Sequence, residues 1–230
     1  MIKKMYKKRL LYGVKDLNLE YEIFLKDFKT ENENLCYIFS DFKIKEDLIF
    51  ANKIDLKKYR VRFYYDISKE NFISRSKIKL LPENINIFRF DSDIEYKNFF
   101  ICLENLYYND WINYLPVNYM STVKEFIESQ SVSNYLCLTK SDTKVAFVSL
   151  NEYYGTVVGD MDWISHIWIS RDLQKEERRL VREYVIYWLS INMKLSHLKG
   201  AVDAFNVRSQ NFFKKIGFNI ECVQFSKLKF

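Results

Sequence analysis

The sequence predicts an α/β chain, and three observations carry that prediction. Short apolar runs rich in β-branched and aromatic residues recur between polar connectors, as strands require. Three segments place apolar residues at helical spacing instead. From Glu95 onward the two kinds follow one another as helix, helix, three strands, long helix, strand, helix, strand. That alternation is the pattern of a mixed sheet flanked by helices.

In the first part, NLCYIF (34–39), DLIFAN (47–52), RVRFYYDI (60–67) and INIFRF (85–90) are predicted strands, with Pro82 and the following asparagines marking a turn. YKNFFICLENLYYNDWI then sets Phe99, Cys102, Leu103, Leu106 and Tyr107 on a helical face. Pro116 interrupts it, and a second short helix is expected to open at Ser121 or Thr122. NYLCLTK (134–140) and KVAFVSLNEYY (144–154), joined at Ser141 and Asp142, read as a hairpin, and DWISHIWI (162–169) reads as the next strand. A long helix follows, with Leu173, Leu180, Val181, Tyr184, Val185, Trp188 and Leu189 on its apolar face and Asp172 as its expected cap. LKGAVDAF (198–205) is a strand leading to a helix that opens at Asn206, buries Phe212, Phe213 and Ile216, and ends at Gly217. The last run, from Phe218, alternates like a strand, with a bulge expected near Cys222.

Composition narrows the function classes. A chain of 230 residues, 48% hydrophobic and 17% aromatic, has the means to bury a substantial core. The net charge of +6 is a modest surplus over a mixed surface. Its densest basic stretch is Lys3, Lys4, Lys7, Lys8 and Arg9, read as a solvated terminus. Basic and aromatic residues are nowhere concentrated together, so nucleic acid is not an expected partner. Cys36, Cys102, Cys137 and Cys222 stand singly, with no zinc or redox pair, and no run reaches the ~18 apolar residues of a membrane span. The amino-terminal stretch has no apolar core suited to export, so a cytoplasmic location is expected. Gly-rich nucleotide loops, nucleophile elbows and paired metal-spaced histidines are absent from the sequence.

One stretch is more specific. NVRSQNFFKKIGF carries Asn206, Ser209, Gly217 and Phe218 at the spacing of the last helix of the GNAT superfamily, and the preceding strand–long helix–strand order matches that family's frame. Residues 95–230 therefore resemble a GNAT-like acyl-CoA N-acyltransferase fold, a mixed central sheet flanked by helices. Residues 1–94 are expected to form a β-rich amino-terminal portion, open between a true second domain, a degenerate repeat of the same fold and a dimerisation element, so a homodimer is one expected assembly. The layout is similar to bacterial amino-sugar acetyltransferases with an added amino-terminal domain.

The resemblance implies transfer of an acyl group, with acetyl-CoA or another acyl-CoA as co-substrate and no metal, to a small-molecule amine acceptor. It also implies that backbone N–H groups near Ile167 and Ile169 polarise the thioester carbonyl and that the Gln174–Leu180 turn receives the pyrophosphate. Gln174 fits the family pattern there; Glu177 and Arg179 stand where small residues are usual. Lys175, Arg178 and Arg179 are the candidate compensating cations. The same stretch reads equally well as the solvated first turn of a helix. Phe213 replaces the tyrosine that serves many members as general acid, leaving Asn206 and Ser209 as stand-ins. His166 is the candidate base, with Asp162 behind it on the same even-numbered face; Asp203 and His197 are lesser candidates. A lone strand histidine is more often a packing residue. Two alternatives stay open: a degenerate, non-catalytic binding module, and an acyltransferase drawing on an acyl carrier protein, whose pantetheine arm has one phosphate.

Overall fold

The computed structural model describes residues 2–6, 9–14, 35–40, 59–115, 119–129, 134–154 and 160–227. The predicted strand DLIFAN and Pro116 lie outside them. The chain forms two compact units, each assembled from separated stretches: Met1–Asp66 with Tyr108–Tyr119 and Ala201–Phe230, and Ile67–Tyr107 with Met120–Gly200. The expected boundary between residues 94 and 95 falls inside the second unit.

In the first unit, β1 (Ile2–Tyr6), β2 (Arg9–Val14), β3 (Leu35–Ser40), β10 (Asn219–Lys227) and β4 (Tyr59–Ser68) lie in that order. β2 and β3 run parallel; the other neighbours are antiparallel. Between Ile220 and Cys222 the register of β10 on β4 slips, so Glu221 is the extra residue of the bulge expected there. β4 buries alternate residues, Val61, Phe63 and Tyr65. Phe213 of α5 (Val207–Lys215) packs on this face, 5.1 Å from the Tyr65 ring and 4.9 Å from that of Phe218. The helix ends as predicted at Gly217, which takes φ 96°. The Gly217 and Phe218 N–H groups donate to the carbonyls of Lys214 and Phe213, so two otherwise orphaned carbonyls are satisfied.

In the second unit, β5 (Asn86–Phe88), β6 (Asn134–Lys140), β7 (Thr143–Tyr153) and β8 (Met161–Ile169) are successive antiparallel neighbours, and the first part of β9 (His197–Asp203), up to Gly200, pairs with β8 in parallel. Ser141 and Asp142 both take positive φ, 47° and 62°, the two-residue turn that suits the twist of a β-hairpin. One sheet face is covered by α2 (Asp93–Trp111) and α3 (Tyr119–Ser129): Tyr96, Phe100, Leu103, Ile127, Cys137 and Phe147 are buried in one cluster. Burial pushes the Cys137 thiol up to about 12, so it is an inert packing group. α4 (Lys175–Asn192) packs on β7 and β8 and buries Val181, Val185 and Leu189. The segment after α1 (Lys69–Arg75) runs antiparallel to α4, fastened by Ser76 to Ser190, Lys79 to Glu183 and Asn84 to Glu177.

Some expectations need correction. The buried face of α2 is Tyr96, Phe100 and Leu103, not the stripe through Cys102 and Leu106, which are exposed. The reason is the Phe147 ring, 5.9 Å from Phe100 and 6.0 Å from Tyr96, which turns the aromatic stripe toward the sheet. α3 opens at Tyr119, before Ser121. The cap of α4 is Gln174 rather than Asp172, whose N–H and carboxylate close a local turn with the hydroxyl of buried Ser170. His197 opens β9 instead of lying in the loop before it. Phe213 is buried, while Phe212 and Ile216 are half-buried.

Candidate functional site

The site is built on β8. Along β7 the pairing runs Ser149 with His166, then jumps to Leu150 with Ile164, leaving Ser165 as an extra residue. A bulge of one residue breaks the period of two. Asp162 and His166 therefore face opposite sides of the sheet, although both are even-numbered. His166 shares the α2 face with Ser149 and Phe147, and its ring lies 6.0 Å from that of Phe147 and 5.1 Å from that of Phe100. Into this apolar surrounding α2 delivers Glu104, whose carboxylate oxygen sits 2.9 Å from His166 Nδ1. Both side chains are nearly enclosed, 13% and 12% exposed. Asn151 Nδ2 donates to the Ser165 hydroxyl at 2.7 Å, so a short polar row crosses an otherwise aromatic surface.

β9 joins β8 only over Asp162–Ile164 in the described register. Beyond that, among the described residues, β8 continues along β7 alone. Ser170 donates its N–H to Val145, which makes that couple a hydrogen-bonded pair of the antiparallel ladder. Alternation then turns the N–H groups of Trp168 and His166 toward β7, and those of Ile167 and Ile169 toward the opposite edge. These are the two amides to which the resemblance assigns carbonyl polarisation. Their own side chains are half-buried.

At the start of α4, Glu177, Arg178 and Arg179 are already engaged. Glu177 folds back so that one carboxylate oxygen accepts the Gln174 N–H at 3.3 Å, while the other accepts Lys140 Nζ at 2.6 Å and Asn84 Nδ2 at 2.9 Å. A negative group at a helix amino terminus is favourable, and Lys140 offsets its charge. The Lys140 ammonium and then the Asn84 amide hold the Glu177 carboxyl below its ordinary range. The latch it forms is expected to be intact above that range and to open as pH falls through the lowered value. A fall in protection of the Gln174 backbone amide on acidification, measured against its intrinsic exchange rate, would check this; unchanged protection would refute it.

Arg178 turns its guanidinium inward, Nη2 donating to the carbonyls of Arg171 and Leu173, the latter at 2.6 Å. It thereby clasps the loop between β8 and α4. Arg179 is ion-paired along its own helix, to Glu176 and, at 2.6 Å, to Glu183. Lys175 is exposed in the first turn, and Leu180 is half-buried. His166, Ile167, Ile169, Gln174, Lys175, Arg178, Arg179 and Leu180 thus share the second unit.

Asn206 and Ser209 belong to the first unit. The Asn206 side chain caps α5 by accepting the Ser209 N–H at 3.0 Å, which explains the need for asparagine there without a ligand. Asp203 is no free base, because Arg60 grips both its oxygens at 2.6 and 2.9 Å. Glu104 is the residue that sequence reasoning missed. It sits on a helix of mixed charge, 62 positions from His166, and no local signal links the two.

No family model matches the sequence, and no curated protein matches it either. Solved structures do match the fold. A GCN5-related N-acetyltransferase from Sphaerobacter thermophilus aligns with a TM-score of 0.50 and 12% identity over 92% of this chain and 66% of that one. A conserved protein of unknown function from Bacteroides thetaiotaomicron aligns with a TM-score of 0.50 and 11% identity over 99% of this chain and 82% of that one. Among the described residues no helix is long and apolar enough to cross a membrane. At these identities the likeness is one of backbone architecture, and the chain carries a GNAT-like fold, a mixed sheet flanked by helices.

Proposed function

We propose that the protein transfers an acyl group, acetyl in the simplest case, from a coenzyme A thioester to an amine. The observation that carries this reading is the His166–Glu104 pair at the β8 bulge, next to two amides directed off the paired edge of the strand. An amine attacking a thioester must lose a proton, and a neutral imidazole in a nearly enclosed site is suited to take it. The carbonyl oxygen gains negative charge as the amine adds, and the Ile167 and Ile169 N–H groups are the donors to stabilise it. The sulfur leaves as a thiolate with the electron pair of the C–S bond, and the imidazolium can give it the proton to form the free thiol. Gln174, exposed Lys175 and the first turn of α4 are the side chains and amides for the donor's phosphates.

The test is a panel of small amines with acetyl-CoA, read by release of free thiol. His166→Asn is expected to lower kcat on the order of 10²-fold. Turnover unaffected by that substitution would refute the assignment.

A second reading is favoured by the closed start of α4. Glu177 holds the Gln174 amide, and Arg178 and Arg179 are committed to carbonyls and carboxylates of the same unit. A donor carrying one phosphate, such as an acyl group on a carrier protein, asks less of that turn than a pyrophosphate does. Calorimetry with coenzyme A separates the two: micromolar binding supports the first reading, and none at millimolar ligand supports the second or a non-catalytic module.

A further inference from the structure

The polar row on the α2 face of β7–β8 contains two atoms whose hydrogen-bonding capacity is left open. Ser149 is fully buried, and its hydroxyl has no hydrogen-bond partner. Its cross-strand neighbour is His166, so the two side chains project from the same face. His166 uses Nδ1 toward Glu104 at 2.9 Å. An ionised carboxylate can only accept, so Nδ1 must carry the hydrogen. A neutral ring has one N–H, which leaves the lone pair on Nε2. The flanking Phe100 and Phe147 rings offer no competing donor.

From this we infer that Glu104 is a positioning residue that fixes His166 as the Nδ1–H tautomer, making Nε2, on the same sheet face as the Ser149 hydroxyl, the proton-accepting atom of a slot for one N–H or O–H donor. Without Glu104 a histidine ring surrounded by phenylalanines would be free to rotate and to exchange tautomers. Either change would move the lone pair away from the slot. Burying a carboxylate in an aromatic cluster is costly unless it is hydrogen-bonded, and the bond to His166 supplies that partner. The assignment of Nε2 as base rests on the proposed acyl transfer; the tautomer itself does not.

The experiment is ring nitrogen-15 NMR on the full-length protein, at a pH where the ring is neutral. The sequence contains two histidines, so His197→Gln assigns the His166 signals. A pyrrole-type Nδ1 and a pyridine-type Nε2 are expected in the unaltered chain and in Glu104→Gln, whose carbonyl oxygen still accepts. Glu104→Leu is expected to relax toward the Nε2–H form that an unconstrained histidine prefers. With a reactive amine in hand, Glu104→Leu should lower kcat about ten-fold with KM nearly unchanged. An Nε2–H tautomer in the unaltered chain overturns the inference, as does a tautomer indifferent to Glu104→Leu. A fixed Nδ1–H tautomer in a protein without acyl transfer supports the positioning role and removes only the acyltransferase reading.

Discussion

Asp203→Ala is expected to destabilise the protein by about 3 kcal/mol, the lower end of what breaking a buried ion pair costs. Asp203 is 4% exposed at the end of β9, and Arg60 meets it with two parallel hydrogen bonds, Nε to Oδ1 at 2.6 Å and Nη2 to Oδ2 at 2.9 Å. Such a fork fixes both partners and is among the stronger protein hydrogen-bonding arrangements. The ring of Tyr119 lies 5.4 Å from the Arg60 guanidinium carbon and confines it further. Arg62 adds a second positive charge, its Nε 3.9 Å from Oδ1, buried and without a hydrogen bond. Removing the carboxylate would leave two arginines facing each other across the vacated space. Both are partly exposed, 19% and 30%, so water recovers some of the loss, which is why the lower end of the range applies. Asp203→Asn keeps an acceptor but not the charge and is expected to cost about half as much. Urea unfolding checks this through the midpoint at constant slope; a change below about 1 kcal/mol for Asp203→Ala would count against it.

The order of elements was legible because each signal was local. The Ser141–Asp142 turn, the Asn206 cap and the Gly217 stop all act within four residues of themselves, and the structure places each where its chemistry requires. The faces of elements were less legible, because they depend on what packs against them. The α2 helix offers several apolar stripes, and only the position of Phe147 on β7 selects the one through Tyr96, Phe100 and Leu103. The site was partly legible. His166 is legible as the one histidine of its strand, but its partner Glu104 comes from another element, and pairing across 62 residues leaves no periodic trace. Likewise Glu177 stands, in the sequence, where the resemblance leads one to expect a small residue. The structure instead gives it a task, closing the start of α4 with Lys140, that no window of adjacent residues could reveal.

The bulge at Ser165 shows most clearly why strand periodicity alone misassigns a residue. Counting by twos joins Asp162 to His166, whereas the extra residue sends Asp162 to the α4 face, where it is fully buried. There its Oδ2 accepts the N–H groups of Lys194 and Leu195 at 2.8 and 2.7 Å. These amides lie just past the last turn of α4, where the chain must reverse to enter β9. The carboxylate thus fixes the reversal that sets Leu198 beside Asp162 in the parallel register. Lys69 braces the same turn, its Nζ donating to the Met193 carbonyl and its backbone N–H to that of Ser196. Asp162→Ala would strand two amide donors and remove two charge-assisted bonds, an expected loss of about 3 kcal/mol. Asp162→Asn can still accept through its amide oxygen and should cost roughly 1–2 kcal/mol less than the alanine change. Hydrogen exchange distinguishes this cause from general loosening: protection should fall first at Lys194 and Leu195 and then along β9, while β6 and β7 hold. Uniform loss of protection, or none at the two amides, would show that the carboxylate does not govern the turn.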